Sequence, residues 1–359
     1  MGDLVNSGYG GIFSGRRVLI TGDTGFKGSW LAFWLAELGA EVVGFALPPV
    51  TKLFGQLQLA SRIKHYDGDL LDYDHWASVV DGFKPEIVFH LAAQAVVRRS
   101  YRDPRQTFST NVMGSVHVLE ALRECPTIKS VVFVTSDKCY SNKEWVWGYR
   151  ESDELGGHDP YSASKACAEL VFHSYVKSFF NERPEVGLGS VRAGNVIGGG
   201  DWTEDRIVPD CIRSILSGQE IVLRNPGATR PWQHVLEPLS GYLLLAAQLL
   251  KQPQKFSGNW NFGPIDSARS VADLVNRIIA VWGQGKLTLG QANGPHEAGL
   301  LQLNIDKARG LLDWAPRWNF EDTVNRTVER YREAATSQDS VKITSSQIKA
   351  YCAKEKLSW

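Results

Sequence analysis

Continuous apolar runs alternate with helix-like stretches through the first half of the chain. The runs lie at 17–21, 41–46, 87–91, 130–135 and 186–191, and the stretches between them carry apolar residues at helical spacing. Strands that are buried on both faces appear as continuous apolar runs, and alternation of strands with helices favours a parallel sheet. The pattern therefore predicts an α/β fold with a doubly wound parallel sheet.

A glycine-rich loop joins the first predicted strand to the first helix. The strand RVLIT runs into GDTGFKG and then into SWLAFWLAELGA. Gly22, Gly25 and Gly28 allow a tight turn, close approach to a pyrophosphate and close helix packing, while the helix N-terminus presents N–H groups to phosphates. The spacing is GxxGxxG and not GxGxxG, and a glycine cluster alone can be only a turn. Its place after the first strand nevertheless favours a Rossmann-type dinucleotide site, to which Thr24, Phe26 and Lys27 also belong.

The alternation weakens after residue 192. Stretches rich in Pro and Gly lie near 225–232, 253–264 and 293–299, and such stretches are typical of loops. We therefore predict a smaller, loop-rich α/β lobe that binds the substrate. The predicted division is a dinucleotide-binding Rossmann domain at 14–191 to which 233–264 returns, a substrate-binding lobe at 192–232 and 265–340, and a peripheral C-terminal tail at 341–359.

Polar and small residues follow several of the predicted strands. HLAAQ follows the fourth strand, TSDKCY the fifth and RAGNVIGGGDW the sixth. Because the carboxyl ends of parallel strands meet at one edge of a sheet, these segments should line one cleft together with the glycine loop.

Tyr161 and Lys165 stand four residues apart in a segment, 161–178, that we predict to be helical. This spacing puts both side chains on one face, where the ammonium could stabilise the phenolate and lower the pKa of Tyr161. A tyrosine tuned in this way can take a proton from an alcohol near neutral pH. The alternative is an exposed helical pair without a role, and the neighbouring segments favour catalysis.

Composition excludes several classes of function. The 39 basic and 39 acidic residues balance, so the chain carries no general field for nucleic acid or an anionic membrane. The five cysteines show no CxxC spacing, so neither a metal site nor a disulfide framework is expected, and a reducing cytoplasm fits best. The N-terminus lacks the basic flank and apolar core of a signal peptide, and no apolar run is long enough to span a bilayer.

The chain resembles the extended short-chain dehydrogenase/reductase family over nearly its whole length. The resemblance rests on GDTGFKG, HLAA, TNVMGSVHVLEA, TSDKCY, YSASK and GNVIGGGD. Within that family it looks like the nucleotide-sugar 4,6-dehydratases, whose strand-end motif is a hydroxyl residue followed by Asp-Glu. Here the motif is Ser136, Asp137 and Lys138, and lysine in the third place marks the branch that acts on CDP-glucose. The segments RPWQHVLEP and HEAGLLQLN are also similar to that branch.

The resemblance implies a concealed redox cycle. Tyr161 would remove the proton of the sugar 4-hydroxyl while C4 gives a hydride to NAD. Water would then leave across C5 and C6, and the hydride would return to C6 and a proton to C5. Ser136 would hydrogen-bond the reacting oxygen and Lys165 would hold the nicotinamide ribose. Asp137 would protonate the leaving hydroxyl, which requires a protonated acid, and Lys138 occupies the position of the C5 base, which must be neutral for part of the cycle. The alternative for Asp137 and Lys138 is a charged pair on a loop.

The identity of the cofactor is open at the second strand. EVVGFALPP ends without the acidic residue that would bind the ribose 2′-hydroxyl, Glu41 comes too early, and Lys52 leaves NADP open. We favour NAD because a dehydratase recycles its cofactor, and the missing carboxylate predicts weak binding.

Other cofactor contacts follow the third and fourth strands. By resemblance, Asp69 with Leu70 meets the adenine, and the alternative for Asp69 is a cap of a helix at 73–80. The backbone of Leu91, Ala92 and Ala93 should line the cofactor cleft, although an ordinary buried strand end has the same composition.

The diphosphate of a nucleotide sugar needs local cations. The candidates for substrate binding are Gln94, Asn195, Arg206, Arg224 and Arg230, and Arg230 matches the family's phosphate-binding arginine best. Trp202 or Trp232 could stack on the base, but tryptophans of this kind are more often anchors of a core.

Three other functions are possible on the same fold, and the first of them would share the cofactor loop, Tyr161 and Lys165. A 4-epimerase or decarboxylase would not need an acid beside a base at 137 and 138, a ketoreductase would consume NADPH, and a dead binding protein would be expected to lose the tyrosine or the lysine. A dehydratase of dTDP- or UDP-glucose also remains open. The family suggests a homodimer through helices at 103–122 and 161–178, and a place in deoxysugar synthesis for a cell-surface polysaccharide such as the lipopolysaccharide O-antigen.

Overall fold

A seven-stranded parallel sheet forms the centre of the molecule. The computed structural model describes residues 9–49, 51–223, 225–266, 268–290, 300–336 and 339–356. The strands stand in the order β11–β6–β5–β4–β1–β2–β3. Their bounds are Arg17–Thr21 (β1), Glu41–Ala46 (β2), Lys64–Asp67 (β3), Ile87–His90 (β4), Ser130–Val134 (β5), Gly187–Arg192 (β6) and Gly258–Asn261 (β11).

Helices cover both faces of this sheet, so the predicted Rossmann-type doubly wound fold is confirmed. The α-helices associated with the sheet are Phe26–Glu37, Leu53–Gln56, Tyr73–Phe83, Val97–Arg102, Pro104–Phe108, Gly114–Arg123, Pro160–Ser178, Leu236–Lys251, Pro253–Phe256 and Asp306–Leu312. The strand order reverses between β1 and β4, and in sheets of this kind ligands bind outside the carboxyl ends of the strands at such a reversal.

The apolar runs become strands because both of their faces are covered. In β1, Val18 and Ile20 pack into one hydrophobic cluster, while Leu19 between them packs into a second cluster. Successive side chains of a strand point to opposite faces, so each cluster lies on one side of the sheet.

A smaller lobe follows β6. Its helices Ile207–Leu216, Val271–Trp282 and Phe320–Ala335 share a third hydrophobic cluster, which includes Val208, Leu274 and Val324. Three two-stranded sheets complete the lobe, and their strands are β7 (Val196–Ile197), β8 (Ile221–Leu223), β9 (Thr229–Arg230), β10 (Gln233–His234), β12 (Arg269–Ser270) and β13 (Leu287–Leu289). The division of the chain into two domains at the boundaries given above remains a prediction.

Over its described residues, 341–356, the C-terminal segment is not the peripheral tail that we predicted for 341–359. A helix spans Ser340–Ala353, and its Ile348 and Tyr351 are buried in the main hydrophobic core. Tyr351 also donates a hydrogen bond to Glu237, at 2.6 Å. The prediction was wrong because the buried face of this helix includes Thr344 and Gln347, which make the segment look polar. Within the described ranges, no helix is long and apolar enough to cross a membrane.

Candidate functional site

One large cleft lies at the carboxyl ends of the strands. Its volume is about 1530 Å³. A pocket for one small molecule usually occupies about 300–1,000 Å³, so this cleft has room for two ligands side by side. It is lined by the predicted cofactor residues Gly22, Thr24, Gly25, Phe26, Lys27, Gly28, Asp69, Leu70, Leu91, Ala92 and Ala93, by Ser136, Asp137, Lys138, Tyr161 and Lys165, and by Gln94, Asn195, Arg206 and Arg230. Arg224 lies outside the described residues.

The glycine loop is built for close approach. Gly22 has a φ of +80°, and a Cβ on it would come within 2.8 Å of the backbone nitrogen of Ala92. A Cβ on Gly28 would lie 2.0 Å from the carbonyl oxygen of Gly22. Gly25 begins the helix Phe26–Glu37 without a side-chain cap, so the first N–H groups of that helix point at the cleft. This cradle, which larger side chains would fill, fits the pyrophosphate of a dinucleotide.

Thr21 ties the two strands that flank the reversal. Its hydroxyl oxygen accepts hydrogen bonds from the backbone N–H groups of Leu91 (3.1 Å) and Ala92 (3.2 Å). It also lies 2.8 Å from Nδ1 of His90, whose burial lowers its pKa to about 3, so this imidazole is neutral. Sequence reasoning missed both residues, although each is the last residue of its strand.

Asp69 does not cap the helix that follows it. Oδ1 of Asp69 accepts a hydrogen bond from the N–H of Leu71, and the helix Tyr73–Phe83 is capped by Asp72. The alternative of Asp69 as the helix cap is therefore wrong. At the end of β2, the exposed Leu47 occupies the rim of the cleft, and its carbonyl accepts the hydroxyl of Thr24 at 3.0 Å.

A tight turn at the end of β5 presents the Ser-Asp-Lys segment. The hydroxyl of Ser136 donates to Oδ1 of Asp137 (2.9 Å) and accepts the N–H of Lys138 (3.2 Å). Oδ2 of Asp137 is buried and has no hydrogen-bond partner among the described residues. A Cβ on Gly194 would lie 1.7 Å from that oxygen, so glycine at 194 leaves the space that the carboxyl group occupies.

Tyr161 and Lys165 project from the helix Pro160–Ser178 into the same cleft. The helix starts here because Asp159 accepts the N–H of Ser162 and Pro160 stands at its first position. Burial raises the pKa of Tyr161 to about 12, a hydrogen bond with Ser136 opposes the rise, and Asp137 adds to it. Burial thus outweighs the hydrogen bond with Ser136 and the charge of Arg206, so in the protein alone the pKa of Tyr161 is raised, and its lowering by Lys165 stays a prediction. Burial also lowers the pKa of Lys165 to about 8.

Asn111 holds the wall between this helix and the strand-end loop after β4. A π-helical turn at Ser109–Met113 carries it. Its side chain accepts the N–H of Gln94 (2.8 Å) and donates to the hydroxyl of Ser164 (2.8 Å). The segment TNVMGSVHVLEA contributed to the resemblance, but nothing in the sequence indicated this contact. The amide nitrogen of Gln94 donates to the carbonyl of Val96 and to Thr107, so a substrate contact through it requires these bonds to exchange.

Three cations, Lys27, Arg206 and Arg230, line the same cleft as the Ser-Asp-Lys segment. Arg206 pairs with Asp201 at 3.4 Å, and Arg230 is buried with its guanidinium donating to the carbonyl of Thr229 at 2.8 Å. Burial lowers the pKa of Lys27 to about 8, and the charge of Arg206 lowers it further. Asn195 has a φ of +51°, a left-handed conformation that asparagine tolerates.

The two tryptophans considered as base-stacking residues serve packing. Trp232 belongs to the third hydrophobic cluster and donates to the carbonyl of Arg269, and Trp202 packs edge-on against Tyr331. Trp232 also borders the cleft, whereas Trp202 does not.

Comparison with known proteins agrees with this geometry. A family model described as GDP-mannose 4,6 dehydratase matches residues 19–327. A CDP-glucose 4,6-dehydratase of Salmonella typhimurium is 49% identical over 347 residues, which are 94% of this chain and 97% of that protein. A dTDP-D-glucose 4,6-dehydratase of Dictyostelium discoideum is 26% identical over 74% of this chain and 62% of its own length.

Solved structures share the fold. A dTDP-glucose 4,6-dehydratase of Streptomyces venezuelae, solved with NAD bound, has a TM-score of 0.77 at 23% identity and covers 90% of this chain and 99% of its own. A UDP-glucose 4-epimerase of Thermotoga maritima has a TM-score of 0.79 at 23% identity and covers 89% of this chain and 99% of its own. With its glycine cradle, its Tyr161–Lys165 helix and a family match over most of its length, the chain belongs to the GDP-mannose 4,6-dehydratase family.

Proposed function

We infer that this protein is an NAD-dependent hydro-lyase that converts CDP-glucose to CDP-4-keto-6-deoxyglucose and water. The observation that carries the inference is the 49% identity to a CDP-glucose 4,6-dehydratase over 94% of the chain. The arrangement of Ser136, Asp137 and Lys138 beside Tyr161 in one cleft supports it, since the reaction needs a base at the 4-hydroxyl and an acid–base pair at C5 and C6.

We propose that Tyr161 starts the cycle as the base for the 4-hydroxyl. NAD, when bound, supplies the hydride acceptor for C4 and the hydride donor for C6. Ser136 hydrogen-bonds Tyr161 and can direct the reacting oxygen toward it. Lys165 is buried on the same face of the helix as Tyr161. By resemblance to the family, it holds the nicotinamide ribose. The 4-ketone then acidifies the proton on C5.

Asp137 and Lys138 carry the elimination in this proposal. Oδ2 of Asp137 is the oxygen without a hydrogen-bond partner among the described residues, so it is available to give a proton to the leaving 6-hydroxyl. Lys138 is partly exposed in the cleft and stands in the place of the C5 base. In this role it takes the proton from C5 during elimination, and a proton returns to C5 when the hydride is delivered to C6. An epimerase or a ketoreductase needs no such pair, which is why we favour dehydration.

We assign the binding of the diphosphate and the sugar to the remaining predicted substrate-binding residues. Arg206, Arg230, Asn195 and Gln94 line the same cleft as the glycine loop and Tyr161. Bidentate guanidinium groups suit phosphate oxygens, so we assign the diphosphate to the two arginines. Arg224 remains a sequence-based proposal.

We propose that NAD binds weakly. The rim at the end of β2 carries the apolar side chain of Leu47 and no carboxylate for the adenosine ribose. A titration of NAD and NADP against the protein, followed by calorimetry, tests this point: NAD should bind, and more weakly than in dinucleotide enzymes that carry an acid at this position.

Assembly and location are further proposals. Met113 and Leu170 are exposed apolar residues on the helical segments at 103–122 and 161–178, which supports a homodimer through these segments. Light scattering with a purified sample tests it. We place the enzyme in the cytoplasm, where nucleotide sugars and NAD are made, and in deoxysugar synthesis for a cell-surface polysaccharide such as the O-antigen.

The function is tested by incubating the protein with CDP-, UDP- and dTDP-glucose, with and without added NAD, and following each nucleotide sugar by mass spectrometry. Loss of one water from CDP-glucose, without net formation of reduced cofactor, is the expected result. Preferred dehydration of dTDP- or UDP-glucose would overturn the base assignment, and unchanged mass with all three would overturn dehydration.

A further inference from the structure

A buried ion pair lies directly behind the catalytic segment. Glu169 follows Lys165 by one turn of the helix Pro160–Ser178, and Arg192 is the last residue of β6. Nε and Nη2 of Arg192 each donate to one oxygen of Glu169 at 2.9 Å, and both side chains are 0% exposed. This is a bidentate, fully buried pair.

The pair forms hydrogen bonds with residues at both ends of the segment that carries Ser136, Asp137 and Lys138. At one end, the hydroxyl of Thr135 donates to Oε1 of Glu169. At the other end, Nη1 of Arg192 donates to the hydroxyl of Tyr140 at 2.7 Å. Each end of the segment is therefore hydrogen-bonded to one partner of the same ion pair.

Glu169 is also an anion that stabilises the positive charge of Lys165. The titratable groups that interact with Lys165 are Glu169 on its own helix, Cys139 on the catalytic segment, Lys27 in the glycine loop and His90 at the end of β4. Burial raises the pKa of Cys139 and lowers that of His90, so both are neutral near pH 7. Lys27 is a cation.

The carboxylate keeps its charge. Burial by itself would raise the pKa of Glu169, but the hydrogen bonds and charge of Arg192, with the hydroxyls of Thr135 and Ser190, outweigh burial and lower that pKa. Glu169 is thus an anion that favours the ammonium form of Lys165 near neutral pH.

We propose that Glu169 and Arg192 form a positioning pair for the dehydratase reaction, holding the 136–138 segment against Tyr161 and keeping Lys165 cationic. This inference rests on the proposed function. Neither residue lines the cleft, so each acts through other residues. Buried ion pairs contribute little net stability and can often be replaced by apolar residues, so stability alone does not explain this pair.

The test uses the double variant Glu169→Leu/Arg192→Met, which removes the pair without leaving a lone buried charge. At saturating NAD, kcat should fall roughly 10- to 100-fold because the segment is misplaced, while KM for CDP-glucose changes little. The alkaline limb of the pH profile of kcat should move down by about one pH unit, because Lys165 loses the anion that favours its charged form.

Two further variants separate position from charge. Thr135→Val releases one end of the segment but keeps the ion pair, so kcat should fall while the alkaline limb stays in place. Glu169→Asp keeps the negative charge, so its alkaline limb should also stay near the wild-type position. The matched control is Glu37→Leu/Arg62→Met. These two residues form an ion pair with an N–O distance of 2.9 Å, and neither lines the cleft, so both readouts should stay unchanged.

Wild-type kcat and pH profile in a folded double variant would overturn the positioning role, and so would a wild-type kcat in Thr135→Val if the double variant does not fold. Failure of the wild-type protein to dehydrate CDP-glucose would instead overturn the proposed function. The two failures are therefore distinguishable.

Discussion

At the scale of single residues, Tyr161 is the group on which the proposed chemistry depends most. Its hydroxyl is buried, its pKa is raised to about 12 by that burial, and Ser136 lies within hydrogen-bond reach. In the protein alone, therefore, the phenol is protonated at neutral pH, and the filled cleft must favour the phenolate.

Tyr161→Phe removes this hydroxyl and leaves the packing of the ring. General acid–base groups contribute roughly 10²–10⁴-fold, so kcat with CDP-glucose should fall by about that factor. The thermal midpoint of unfolding should stay near the wild-type value. Turnover at the wild-type rate would contradict the role of Tyr161.

Asp137→Asn keeps the shape of the side chain but removes the proton that the leaving hydroxyl needs. C4 oxidation does not require this proton, so the variant should stall after it, and reduced nicotinamide should build up in a single turnover. The absorbance of the reduced cofactor follows this directly. Normal product release, with no such build-up, would assign the acid to another group.

The short segments of the site could be predicted, and its long-range contacts could not. Ser136, Asp137, Tyr161 and Lys165 stand in a strand-end motif and at helical spacing, and both signals are local. Thr21 with His90 and Glu169 with Arg192 are partners far apart in the chain, so only the folded sheet brings them together.

At the scale of elements, the loop after β6 shapes the position of the catalytic carboxyl. A Cβ on Gly194 would lie 1.7 Å from Oδ2 of Asp137, far inside van der Waals contact. The loop and the turn after β5 therefore fit together only with glycine at 194.

Gly194→Ala should displace the carboxyl of Asp137 and reduce kcat about 100-fold, since a shift of about 1 Å can have an effect of this size. The control is Gly82→Ala, at a helical position where a Cβ meets nothing within 4 Å. That variant should be stabilised by up to about 1 kcal/mol with unchanged kcat. Equal kcat in the two variants would contradict the proposed placement of Asp137.

Continuous apolar runs predicted strands that are buried on both faces, whereas strands with exposed or polar positions carry no such run. β1, β4 and β5 each carry a run of three or four apolar residues, whereas β3 is the edge strand Lys64–Asp67, half exposed and polar. β11 has the sequence GNWN, which carries no apolar run and joins the sheet through its pairing with β6. A strand that joins a sheet mainly through backbone pairing with its neighbour leaves no periodic pattern of apolar residues in a single sequence.

At the scale of the whole molecule, Glu237 connects the C-terminal helix to the core. This buried carboxyl accepts the hydroxyl of Tyr351 and the backbone N–H groups of Arg317 and Trp318. Burial raises its pKa from 4.5 to about 7, and these hydrogen bonds oppose the rise. The sequence predicted a tail here because nothing in it marks Glu237 as the partner of that segment.

The raised pKa predicts a dependence of stability on pH. The folded protein keeps a proton on Glu237 that the unfolded chain releases above pH 4.5, so the contribution of this group to stability is full below pH 4.5 and is lost as pH rises toward about 7. The size is on the order of 3 kcal/mol.

Glu237→Gln imitates the protonated form. As pH rises from 5 to about 8, the thermal midpoint of the wild-type protein should therefore fall relative to that of the variant, as measured by calorimetry in matched buffers. Parallel curves over this range would show that Glu237 titrates normally.

The central claim is that one hydride leaves C4 and returns to C6 within a single active site. Its most direct test is to incubate the wild-type protein and NAD with CDP-glucose that carries deuterium at C4, and to locate the label in the product by NMR and mass spectrometry. The account predicts a product that has lost one water, keeps the deuterium and carries it at C6. Deuterium that stays at C4, or that passes to a pool of reduced cofactor with no loss of water, would contradict it.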